Sequence, residues 1–123
     1  MRNNNLPSLF SDFAHNFNPS SLPISSINIF KICLADWVAV SIAAQNSIVA
    51  EKILSLADDD GGLQESFIFG HKSYVSCKTA ALINGTISHA LDYDDTHFDY
   101  LGHPSVVVLS SALAISDKYN LSF

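Results

Sequence analysis

Apolar residues recur at helical spacing in every long segment of the chain, and clusters of polar residues, glycine or proline separate those segments. Within residues 6–17, Leu9, Phe10, Phe13 and Phe17 fall on one face, and Asn18-Pro19-Ser20-Ser21 ends the pattern. Pro23 suits the first turn of a second helix, in which Ile24, Ile27, Phe30, Leu34, Trp37, Val38 and Ile42 keep a 3.6-residue rhythm to about Ala44. Residues 48–57 make a third helix, which runs into Asp58-Asp59-Asp60-Gly61-Gly62. Three carboxylates at a helix C-terminus oppose its dipole, so this end is expected to fray. Residues 65–69 have a brief β-like pattern stopped by Gly70, with a short hairpin around residues 66–70 as the bounded alternative to a purely helical fold. A fourth helix is expected from Ser73 to roughly Leu91, its small residues Ala81, Gly85 and Ser88 making a face that a neighbouring helix approaches closely. His103-Pro104-Ser105 then opens a fifth, with residues 106–119 as its body. The pattern predicts an all-α fold of about five helices.

The last helix is apolar nearly all round, from Val106, Val107, Val108 and Leu109 to Leu113 and Ile115. Such a helix belongs in an interior. A chain of 123 residues makes at most one compact domain and buries about two-thirds of its unfolded surface. Four shorter or similar helices are too few to enclose the fifth. The chain therefore reads as part of something larger, and alone it is expected to be unstable, oligomeric or prone to aggregate through that helix.

Composition narrows the class further. With 48% apolar and 15% charged residues and a mean hydropathy of +0.23, the chain is not intrinsically disordered. The net charge of −6 and the scatter of Arg2, Lys31, Lys52, Lys72, Lys78 and Lys118 argue against a nucleic-acid partner. Two cysteines, Cys33 and Cys77, are too few for a disulfide scaffold and read as free thiols in a reducing, cytoplasmic setting. Residues 1–7 lack a continuous apolar stretch, and charged or hydroxyl residues break the longer apolar runs, so neither a signal peptide nor a membrane partner is expected. Trp37 reads as core, and His15 and His71 as surface.

The chemistry-bearing stretch is residues 84–105. Asp92, Asp94, Asp95 and Asp99 lie with His89, His97 and His103 inside fifteen positions. If the fourth helix continues into this stretch, His89, Asp92 and Thr96 share a face, and Asp94 and Asp95 point elsewhere. His103 arrives at the N-cap of the fifth helix, where the N–H groups of Ser105 and Val106 favour an anion. A carboxylate substrate docked there would meet His103 as acid or base. The rival reading is a divalent metal held by Asp94, Asp95, Asp99, His97 and His103, residues of the right type for Mg²⁺ or a transition ion. Neither a cysteine pair nor paired-His spacing supports zinc, and Gly61-Gly62 lacks the lysine of a phosphate loop.

Four segments carry a resemblance to a known family. Leu34-Ala35-Asp36-Trp37-Val38-Ala39-Val40, Ala80-Ala81-Leu82-Ile83-Asn84-Gly85, His89-Ala90-Leu91-Asp92-Tyr93-Asp94-Asp95-Thr96-His97 and Gly102-His103-Pro104-Ser105 occur in the order and spacing of the amino-terminal part of the MmgE/PrpD family. That family includes 2-methylcitrate dehydratase and cis-aconitate decarboxylase. The resemblance covers nearly the whole chain from about Leu9. It implies that residues 1–123 are a partial N-terminal helical domain, the rest of that domain and a smaller α/β domain lying in segments this chain lacks, within a protein that usually forms a homodimer.

The same resemblance implies a small di- or tricarboxylic acid as substrate, no cofactor and no metal. Asp92, Thr96 and His103 are similar to the family's active-site Asp, Thr and His. Thr96 and Ser105 are expected to bind substrate, His103 to give or take the proton, and Asp92 to orient a neighbouring group. On this reading Asp94→Asn, on an outer face, matters much less than His103→Ala. The family pocket also uses lysines and a further histidine from segments beyond the position of Phe123. The alternative is accordingly a non-catalytic remnant or helical interaction module.

Overall fold

The computed structural model describes residues 5–99 and 101–121; residues 1–4, part of the stretch expected to hold no signal peptide, lie outside it. Five α-helices and one two-stranded hairpin make up its regular structure among the described residues. The fold is thus mostly helical, and all-α only in outline.

The chain divides into two compact units, residues 1–30 and 31–123. In the first, α1 (Leu6–Asn16) starts where Asn5 accepts a hydrogen bond from the Ser8 N–H at 3.0 Å. A 3-10 turn, Pro19–Ser21, follows, capped by Asn18. The apolar stripe of α1 forms as its spacing predicts, and Phe13 and Phe17 stack at 5.5 Å. No residue of α1 is buried.

Helix α2 (Ile24–Ala43) begins in the first unit and runs into the second. With the 3-10 turn Ala44–Asn46 it is long and apolar enough, by length and composition only, to cross a membrane. Its buried positions, Trp37, Val40 and Ser41, with Ala44 in the turn, recur at i, i+3, i+4 and i+7. That one-sided pattern is how a helix packs on a core. Trp37 meets Phe69 edge-on with ring centroids 5.4 Å apart.

Helix α3 (Ile48–Leu54) is capped by Ser47, continues as the 3-10 turn Ser55–Ala57, and packs on α4 (Cys77–His89). The core gathers around α4, where Ala80, Ile83 and Ile87 lie against Ala44, Ala50, Ile68, Val75 and Ala114. Burying side chains such as Ile68, Ile83 and Ile87 stabilises by about 1.5–3 kcal/mol each. Helix α5 (Pro104–Tyr119) packs along α4. The small-residue face of α4 makes this contact as expected: a Cβ at Gly85 would stand 3.6 Å from Ser110.

Residues 73–76 do not join α4. Strand β1 (Ser66–Phe67) pairs antiparallel with β2 (Tyr74–Val75), and Gly70 at φ 80° turns the chain between them. Side-chain anchoring outweighs helical spacing here. Asn84 accepts from the Phe69 N–H at 2.8 Å and donates to the Phe67 carbonyl at 3.1 Å. The Ser66 hydroxyl donates to the Ala114 carbonyl, and the Phe67 N–H to Asp117. The hairpin is pinned to both helices.

The acidic end of the third helix is also put to use. Asp60 reaches the N-terminus of α4, where it accepts from the Ser76 N–H and hydroxyl and from the Thr79 hydroxyl. These hydrogen bonds, those of Ser76 first, hold the Asp60 carboxyl below its ordinary range. Glu65 accepts from the Cys77 N–H and pairs with Lys118 at 3.0 Å. Its carboxyl is lowered, first by the Cys77 bond, and Lys118 is raised, first by its hydrogen bond to Glu65.

Along α5, Leu109, Ser110 and Ala114 are buried, whereas Val107 and Val108 keep 63% and 60% of their surface exposed. Within this chain the apolar circumference of the helix is covered on one side only.

Candidate active site

The site lies where α4 ends and α5 begins. Helix α4 stops at His89, and the Asp92 N–H closes a turn on the His89 carbonyl at 3.0 Å. Asp92 then adopts a left-handed conformation, φ 55°, which aspartate tolerates better than most residues. The chain turns back, so the helix does not carry Asp92 and Thr96 along the face of His89. Further on, the His97 N–H bonds the Gly102 carbonyl at 2.9 Å, closing the loop before His103.

This reversal places Asp94 inside. Its side chain has no exposed surface, which corrects the expectation that it points outward. His89 Nδ1 lies 2.9 Å and 3.1 Å from the two carboxylate oxygens. His103 Nδ1 lies 3.2 Å from the Asp94 backbone carbonyl and 3.5 Å from its carboxylate. The two imidazoles meet edge to face, centroids 4.8 Å apart. A buried carboxylate is tolerable only with donors of this kind.

His103 holds the N-cap position of α5, as its place before Pro104 predicts, but its side chain does not cap the helix. That task falls to Asp95, which accepts from the Ser105 N–H at 3.2 Å and the Ser105 hydroxyl at 2.7 Å. The helix N-terminus therefore receives an anion from its own chain. A side chain ten residues away reaches the Ser105 N–H, and no spacing rule forecasts such a contact.

The other ring nitrogen of His103, Nε2, faces Asp92 Oδ1 at 3.5 Å. The Asp92 side chain is 79% exposed and that of His103 25% exposed. Asp92 and His103, singled out by sequence, thus meet at a rim. Thr96 is exposed, and Ser105 is buried under Asp95. His89, Asp92, Asp94 and His103 bring ligand-type atoms within 4.8 Å of one another, a donor set that suits a divalent transition ion by type. Hydrogen bonds account for the same contacts with protons in place of a metal. Of the residues in the sequence-level metal reading, Asp95 is committed to Ser105, and His97 and Asp99 are exposed.

Beside His89 an open, largely apolar groove of about 490 Å³ runs between α4 and α5, floored by Gly85 and Ser110 and flanked by Leu82 and Val107. The Asp94 contacts are what sequence reasoning missed. Two adjacent aspartates in a loop look like solvated surface, and only the left-handed turn at Asp92 folds the first of them under the imidazoles.

No curated protein sequence matches the chain. The model of the MmgE/PrpD N-terminal domain matches residues 8–122, and with the four motif segments lying in that range, the chain belongs to the MmgE/PrpD family.

Proposed function

We propose that this chain supplies the His103 side of the active site of a metal-independent lyase for di- or tricarboxylic acids, of the 2-methylcitrate dehydratase or cis-aconitate decarboxylase kind. The observation that carries the reading is the arrangement of His103. One ring nitrogen is anchored on Asp94, and the other opens at a rim beside Asp92. An imidazole held in this way is suited to proton transfer. In the proposed chemistry His103 Nε2 exchanges a proton α to a substrate carboxylate, and water or CO₂ is then lost. Asp92 orients the groups at the rim, and exposed Thr96 offers a hydroxyl to the substrate. Ser105 serves indirectly, by fixing Asp95 and the start of α5.

Activity in this account requires more polypeptide than these residues. Asp92, Asp94 and Asp95 stand at the start of α5 without a lysine or arginine ion pair among the described residues; the lysine pair that is present, Lys118–Glu65, joins the hairpin to α5. A tricarboxylate needs cations to offset that charge. Further family segments would bring them and would cover the groove and the bare side of α5, in a homodimer in the cytoplasm. The exposed apolar residues of α1, α2 and α5 also favour a second reading, a helical interaction module without catalysis. Turnover of cis-aconitate and 2-methylcitrate separates the two. Activity is expected when the chain is extended by the family's C-terminal segments and absent from the 123 residues alone. An extended protein that binds these acids without turning them over contradicts the lyase reading.

A further inference from the structure

We infer that Asp94 is the positioning residue of this site, holding both His89 and His103 in the tautomer protonated at Nδ1, so that Nε2 of His103 is the atom available for proton exchange. An ionised carboxylate and a backbone carbonyl only accept hydrogen bonds. The Nδ1 atoms that face them must therefore carry the hydrogen. For His89 the acceptors are the two Asp94 carboxylate oxygens, at 2.9 Å and 3.1 Å. For His103 it is the Asp94 carbonyl, at 3.2 Å; a carboxylate stands 3.5 Å from each of its ring nitrogens, Asp94 by Nδ1 and Asp92 by Nε2, and the two do not choose between them. A single residue thus fixes both rings, one through its side chain and the other through its main-chain carbonyl.

The choice of tautomer has a chemical consequence. A free neutral imidazole favours the hydrogen on Nε2, which would leave His103 with a donor at the rim and its lone pair aimed at the Asp94 acceptors. The proposed arrangement reverses this: the hydrogen goes to Nδ1, which lies nearer its acceptor, the Asp94 carbonyl at 3.2 Å, than Nε2 lies to Asp92 Oδ1 at 3.5 Å, and Nε2 keeps the lone pair. When Nε2 takes a proton the ring becomes a cation, its Nδ1–H keeps its bond to Asp94, and the charge lies next to a carboxylate with no exposed surface. Buried away from water, that carboxylate acts through a medium of low polarity, where orientation and charge stabilisation are strongest. The return of the proton from Nε2 restores the starting state.

The inference rests on the reading of His103 as the acid–base group, but its test does not depend on turnover. The extended protein labelled with ¹⁵N in its histidines is examined by long-range ¹H–¹⁵N correlation over a pH series, and the tautomers are read where the histidine signals no longer change with rising pH. The expected spectrum has the Nδ1–H pattern for His89 and His103 and the Nε2–H pattern for exposed His15 and His71. In Asp94→Ala, His89 is expected to revert to Nε2–H and His103 to stay in the Nδ1–H form on the remaining carbonyl. Asp94→Asn, which keeps the backbone carbonyl and loses the carboxylate's charge, should leave His103 in the Nδ1–H form and release His89. A wild-type His103 in the Nε2–H form overturns the inference, whether or not the variants fold, and so do unchanged tautomers in a folded Asp94→Ala. Failure of the extended protein to act on any carboxylic acid would defeat the lyase reading while leaving the tautomers as found.

Discussion

The two ends of α4 use aspartate in opposite ways. At the N-terminal end, Asp60 is bound to Ser76 and Thr79, and Glu65 to the Cys77 N–H and Lys118. Every partner there is a backbone group, a hydroxyl or an ammonium, and the result joins the hairpin, α4 and α5. At the C-terminal end, Asp95 repeats that capping role on Ser105, but Asp94 holds two imidazoles, one of which keeps a nitrogen at the rim. Acidic residues beside helix ends are structural where their donors have nothing further to give. They become candidates for chemistry where the donor itself exchanges protons.

The largest effect expected from this contrast is catalytic. General acid–base groups contribute roughly 10²- to 10⁴-fold in rate, so His103→Ala in the extended protein should lose activity of that order, seen as a fall in kcat on cis-aconitate or 2-methylcitrate. Next comes the core that both ends share. Ile83 is fully buried in α4, and Ile83→Ala should cost about 2–5 kcal/mol, read from chemical denaturation of the extended protein. If it cost no more than a surface change, the two ends would not be coupled through α4.

The structural end should show itself in pH. Asp60 and Glu65 have folded-state pKa values below their unfolded ones. Their contribution is present above the ordinary carboxylate range and is lost as pH falls through the lowered values. Lys118 has the opposite sign: its raised value gives a contribution present below the ordinary lysine range and lost as pH rises through the raised value. Asp60→Asn should therefore flatten the acid limb of the stability curve measured by thermal unfolding. Ser76→Ala, removing the N-cap of α4, should cost about 1 kcal/mol.

The smallest effect is expected from metal. On the proposed proton-transfer reading, in which Asp94 holds the His89 and His103 imidazoles by hydrogen bonds, calorimetric titration with Mg²⁺, Mn²⁺ and Zn²⁺ should find no tight site. Sub-micromolar binding abolished by Asp94→Asn would turn the same donor set into a metal centre.

How far the sequence reaches follows from the same contrast. Helices α1, α2, α3 and α5 are legible because their apolar spacing and their prolines act over a few residues. The N-cap position of His103 is legible for the same reason. Strand β2 is not: two residues, Tyr74 and Val75, carry too little pattern to outweigh the helix that follows them, and their place depends on Asn84 gripping the neighbouring strand. The burial of Asp94 is hidden for a related reason. It depends on the left-handed conformation of Asp92 and on two histidines that the loop brings together from either side. What contacts across the chain decide, local spacing cannot show.

The measurement that tests the contrast most directly compares Asp94→Asn with Asp60→Asn in the extended protein, each followed by kcat and by thermal unfolding. Asp94→Asn is expected to lose on the order of 10²-fold or more in kcat, and Asp60→Asn to lower the unfolding midpoint with kcat close to wild type. Wild-type turnover in Asp94→Asn, or an equal loss of kcat in both variants, would contradict the division of α4 into a structural end and a chemical one.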